Sequence, residues 1–149
     1  MNDTQMSVQI VEQFYRTLKN DDMEAFLSLM HDDIEMNLSG NTPLSGHIKG
    51  KKMLLEKVYP NLMEKLDFEN FSFCTRWRIM CAGGARVTAI MEAQGKTLAG
   101  KPYDQRYCHI FQIDTKKVSS LWEFFDTELV RSSLFDGEQR ASPFTQFEF

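Results

Sequence analysis

The chain has 149 residues, 42% of them hydrophobic and 26% charged, with a formal net charge of −4; that is the make-up of one ordinary globular domain with a core of its own. It carries no basic stripe and no apolar run near the length of a membrane span, which argues against nucleic acid and membrane as partners. Residues 1–9 are polar and include Asp3, the reverse of a secretory leader, and Cys74, Cys81 and Cys108 share neither a metal-binding spacing nor an even count; a cytoplasmic protein is expected.

Helical periodicity fills the first third. Ile10, Val11, Phe14 and Leu18 recur on one face, and Met23, Phe26, Leu27 and Met30 repeat the pattern. Between them Asn20-Asp21-Asp22 stops one helix and caps the next. Asp32-Asp33 ends the second helix, and residues 34–39 alternate as a short strand. Residues 39–46 read as an irregular loop, and a third helix starts after Gly50 and must bend or break near Pro60.

From Phe68 the period changes to two. Phe71, Phe73, Thr75, Trp77 and Ile79 alternate with Ser72, Cys74, Arg76, Arg78 and Met80, and Gly83-Gly84 reverses the chain. Strands follow at 86–94, 103–113 and 118–126, with a short helix at 128–135. Residues 1–135 are expected to form the single domain, and 136–149 a loop-like tail carrying Phe144, Phe147 and Phe149. Helices followed by long antiparallel strands predict an α+β fold whose curved sheet wraps the helices around a ligand pocket.

Alternation sorts each strand into two faces. Glu123 shares one with Leu121 and Phe125; Gln105, Tyr107, His109 and Phe111 share another; Ile90, Glu92 and Gln94 a third; Glu35 and Asn37 a fourth. Parity by itself leaves open which face is inner.

The stretch from Tyr103 to Ile113, then Lys117-Val118, then Trp122-Glu123-Phe124-Phe125-Asp126-Thr127 resembles the C-terminal half of SnoaL-like polyketide cyclases, within the nuclear-transport-factor-2-like superfamily. The helix, Asn-Asp-Asp junction, second helix and Asp-Asp pair at the front are similar too, so the resemblance spans residues 8–135. It implies a cystatin-like α+β cone. It also implies that Glu123, His109 and Glu92 are the catalytic candidates, since members of this fold place acids or a histidine at matching positions. Asn37, Glu35, Trp77, Gln94, Gln105, Tyr107 and Phe125 then become the expected ligand-binding wall. Two activities of the fold fit poorly. The arginine of the epoxide hydrolases is matched by Ile90, and the helix-borne tyrosine of ketosteroid isomerase by Phe14.

A carboxylate in an apolar cavity is a stronger base than one in water, and an adjacent imidazole can orient it or donate to an enolate. The expectation is therefore cofactor-free acid–base chemistry on a small organic carbonyl compound, of aldol-cyclase or isomerase type, with no metal. A non-catalytic ligand-binding protein is the alternative. Trp122, Phe124 and Ile110 on the outer sheet face predict a homodimer.

Overall fold

Helix α1 (Asp3–Lys19) opens on a reciprocal cap, in which the Asn2 side chain accepts from Gln5 N and the Gln5 side chain accepts from Asn2 N. Its buried stripe, Ile10, Val11, Phe14 and Tyr15, follows the helical period and packs across the sheet. The computed structural model that gives these positions describes residues 1–139 and 141–149. Helix α2 (Met23–Ser28) is capped by Asp22, whose carboxylate accepts from Ala25 N. It ends before Met30, earlier than the periodicity predicts. The reason is tertiary: Val118 N donates to Leu29 O and Met30 pairs with Val118, so the sheet claims this backbone.

Strand β1 (Met30–Leu38) therefore starts four residues before the expected boundary. It pairs antiparallel with β2 (Gly46–Lys49), a strand hidden from periodicity because only four residues carry it. Past Gly50, α3 (Lys51–Met53) runs through a π-helical turn (Leu54–Val58) into α4 (Tyr59–Met63). The irregularity expected at Pro60 takes this form. Its ring would strike the carbonyl four residues back in a regular helix, and the wider turn, with Tyr59 N donating to Leu54 O, relieves that clash.

Strands β3 (Ser72–Gly83), β4 (Arg86–Gln94), β5 (Arg106–Asp114) and β6 (Lys117–Phe125) complete an open six-stranded sheet ordered β2-β1-β6-β5-β4-β3. Every neighbouring pair is antiparallel except β1 with β6. Helix α5 (Thr127–Leu129), capped by Asp126, and a second π-helical turn (Val130–Leu134) follow. The architecture is α+β, with the helices on the inner sheet face around one core. No helix among the described residues is long and apolar enough to cross a membrane.

The tail returns over the outer face. Glu148 N donates to Asn37 Oδ1 at 2.9 Å, Trp122 Nε1 donates to Glu148 O at 3.1 Å, and Phe147 packs on Phe124. Thr145 bridges His47, crossing so close that a Cβ at Gly46 (φ +120°) would collide with the Thr145 carbonyl.

Candidate active site

His109 and Glu123 sit directly opposite each other on β5 and β6, so their side chains emerge side by side on the inner face. His109 Nε2 lies 2.8 Å from Glu123 Oε1, and His109 Nδ1 lies 2.8 Å from the hydroxyl of Tyr15 on α1. His109 is only 2% exposed and Tyr15 is fully enclosed. The imidazole is held between two phenol rings, Tyr15 at 5.8 Å and Tyr107 at 5.4 Å between centroids. Trp77 stacks on the far side of Tyr15 and donates Nε1 to Glu12 Oε2 at 3.0 Å.

Hydrogen-bond accounting assigns the protons. The enclosed Tyr15 hydroxyl needs an acceptor, and Nδ1 is the partner within reach. A neutral His109 with its proton on Nε2 serves both neighbours: Nδ1 accepts from Tyr15, and Nε2–H donates to the Glu123 carboxylate. An imidazolium would leave the Tyr15 proton buried without an acceptor. Among the described residues, no protein hydrogen bond reaches Glu123 Oε2.

Glu123 lines an apolar cavity of about 110 Å³, walled by residues such as Phe14, Met36, Leu54, Met91 and Leu121. Three further phenols complete it: Tyr59 beside the π-helical turn, Tyr103 and Tyr107. Burial pushes the Tyr15, Tyr59 and Tyr107 hydroxyls well above the ordinary tyrosine range and Tyr103 up to about 12, and the Glu123 charge adds to the shift in all four. These groups are O–H donors at any physiological pH.

The expected residues divide between the two faces. His109, Glu123, Tyr107 and Phe125 line the cavity, and Trp77 backs it through Tyr15. Gln105 is fully buried but structural: its Oε1 accepts from Arg106 N and Asp126 N, and its Nε2 donates to Asp126 O. The inward placement of Glu92, Gln94, Glu35 and Asn37 is corrected. On β4 the inner set is Val87, Ala89, Met91 and Ala93, so Glu92 points outward, where Arg76 and Arg106 hold it at 2.6 and 3.3 Å. The Arg76 hydrogen bond, with Arg106 adding, keeps the Glu92 carboxyl below the usual range. Gln94 shares that outer parity and is exposed. On β1 the aliphatic side chains Ile34, Met36 and Leu38 take the inner face. Glu35 is left outside near Lys49 and His47, and Asn37 lies under the tail. The reason is common to both strands: burying the aliphatic set is favourable, whereas a carboxylate turned inward would lose its solvent and its arginines.

Sequence reasoning missed Tyr15, Tyr59 and Tyr103. The only signal for Tyr15 is its place on the apolar stripe of α1, one turn after Val11; its partner is 94 residues away.

Helices laid on the inner face of an open, mainly antiparallel sheet, with an apolar cavity between them, define the cystatin-like α+β fold. The chain belongs to the SnoaL-like domain family, whose profile matches residues 11–121. No curated protein matches the sequence significantly. Solved structures of the same fold include an NTF2-like protein from Burkholderia xenovorans LB400, 24% identical with a TM-score of 0.69, over 88% of this chain and 97% of that one. A provisionally assigned polyketide cyclase from Xanthomonas campestris pv. campestris is 12% identical with a TM-score of 0.68, over 89% and 99% of the two chains. TerC, co-crystallised with polyporic acid, is 18% identical with a TM-score of 0.66, over 87% and 98%. At these identities the likeness is one of fold.

Proposed function

We propose that the chain is a cofactor-free acid–base enzyme of the cyclase or isomerase type, which removes a proton next to a carbonyl group of a small organic substrate. The observation that carries this reading is one carboxylate at the wall of an apolar cavity, held through Oε1 by His109 while Oε2 has no protein partner among the described residues. In the proposed step Glu123 Oε2 takes the α-proton and the C–H electron pair becomes an enolate. A phenol O–H, from Tyr59 or Tyr107, donates to the enolate oxygen. Return of the proton from Glu123 at another carbon completes an isomerisation. In an aldol closure the enolate carbon attacks a second carbonyl, whose π pair becomes an alkoxide that takes the proton back from Glu123. His109 acts as a positioning residue that fixes the base, with its tautomer set by Tyr15. Glu92 has no part in this step. The reading extends to a homodimer formed through the outer sheet face. It also extends to the cytoplasm, which the unpaired and exposed Cys81 suits.

The test is α-proton exchange of cyclohexanone in heavy water, followed by NMR. Glu123→Gln keeps the shape but removes the base, so exchange is expected to fall by about 10²–10⁴-fold while binding persists. Equal exchange by wild type and variant would overturn the reading. A non-catalytic binder is the second reading, favoured by one observation: both imidazole nitrogens are already engaged within the protein. In that case the same substitution alters affinity alone.

A further inference from the structure

We infer that the ligand of this cavity is an uncharged carbonyl compound no larger than about one six-membered ring. The carbonyl rests on the function proposed above; the limits on size and charge stand on the cavity itself.

Size comes first. The cavity measures about 110 Å³, and one of about 150 Å³ lined by aliphatic and aromatic side chains holds a single benzene. The walls that can yield are Met30, Met36 and Met91, whose unbranched side chains repack easily. Two aromatic walls are held by ring contacts. Phe14 packs against Phe26 at 4.8 Å and Phe111 at 5.0 Å, and Tyr107 lies against His109. The inferred size limit follows: repacked methionines extend the space towards the volume of one ring, well short of that of a fused ring system.

Charge comes second. Among the described lining residues there is no lysine or arginine, and the one neutral imidazole spends both nitrogens on Tyr15 and Glu123. Glu123 is the only charged group at the wall, so an anionic ligand would bring a like charge into a low-dielectric space with no cation to pair it. An ammonium ion would pair with Glu123, but it would shed its hydration against walls that are almost wholly hydrocarbon and would offer the phenol protons of Tyr59, Tyr103 and Tyr107 no acceptor. One acceptor oxygen on an apolar ring, with an acidic C–H beside it, matches both kinds of group.

Four probes of matched shape test this: cyclohexanone, cyclohexanecarboxylate, cyclohexylammonium and the tricyclic ketone anthrone. Occupancy is read from the methyl NMR shifts of Met30, Met36 and Met91. Cyclohexanone is expected to shift them saturably, both ions to bind about tenfold more weakly or worse, and anthrone to leave them unmoved. In Glu123→Gln the carboxylate is expected to recover to within about threefold of cyclohexanone. The inference is overturned if anthrone shifts these methyls, if either ion binds wild type as tightly as cyclohexanone, or if cyclohexanone does not bind. Binding without α-proton exchange would instead sink the enzymatic reading and leave the limits on size and charge in place.

Discussion

All four tyrosines of the chain gather at one place, Tyr15 behind His109 and the other three in the cavity wall. The folded protein therefore has no freely exposed phenol to titrate near the ordinary value of about 10. Their folded-state values are raised, so the stability they contribute is complete below about pH 10 and is lost as pH climbs towards the folded values, about 12 for Tyr103. Absorbance at the tyrosinate band should stay flat through pH 10 and then rise together with unfolding; an early, graded rise would mean that the phenols are not enclosed. Tyr15→Phe is the sharper residue test. It deletes the donor to Nδ1 and frees His109 to exchange tautomers, leaving a buried nitrogen without a partner at roughly 1–3 kcal/mol of stability. The expected kinetic result is a fall in kcat of about tenfold with KM nearly unchanged and an altered pH profile. A purely structural role would lower stability in urea titration and leave the pH profile alone.

At the scale of elements, the site depends on β5 and β6 meeting in one register. Gln105 enforces this at the open end of the pair, bonding Arg106 N, Asp126 N and Asp126 O from a fully buried position. Gln105→Ala empties a fully buried position and takes the side-chain partner from three part-buried backbone groups, and about 2–4 kcal/mol is expected to be lost. The melting temperature should fall by roughly 5–15 °C in a thermal scan; a change within error would show that water replaces the amide without penalty. The helix before the site illustrates a different control. The π-helical turn ahead of Pro60 presents Leu54, Val58 and Tyr59 together to the cavity. Pro60 was legible from its chemistry, but its consequence for Tyr59 was not, because the direction of a side chain after a widened turn depends on what the helix packs against.

For the whole molecule, the outer face is the unresolved demand. Ile90, Cys108 and Phe124 form one row across β4, β5 and β6, with Ile90 44% and Phe124 41% exposed even though the tail covers Trp122 and touches Phe124. Arginines 76, 78, 86 and 106 surround this row. Such an apolar strip with a charged border is what the proposed sheet-to-sheet homodimer would bury. Light scattering is expected to give twice the chain mass of 17.3 kDa, and Ile90→Glu to return it to one chain mass; an unsubstituted protein at one chain mass would end the dimer proposal.

The sequence by itself determined the α+β class and the order of the long elements, because hydrophobic periodicity and strand alternation are local properties of the chain; the pointer to His109 and Glu123 came from the family resemblance and not from periodicity. It also held a signal that went against the expectation for Glu92: Val87, Ala89, Met91 and Ala93 form the small and apolar half of β4, and that half turns inward. What only the tertiary structure decided was the phase of each strand against its neighbour and the identity of partners far along the chain. Pairing Met91 with Tyr107 puts Glu92 beside Arg106 on the outside, and a shift of one residue would have exchanged the two faces. Tyr15 reaches His109 for the same kind of reason. A helix and a strand separated by most of the sequence meet only once the sheet has curved over the helix, and no periodicity encodes which hydroxyl then finds which nitrogen.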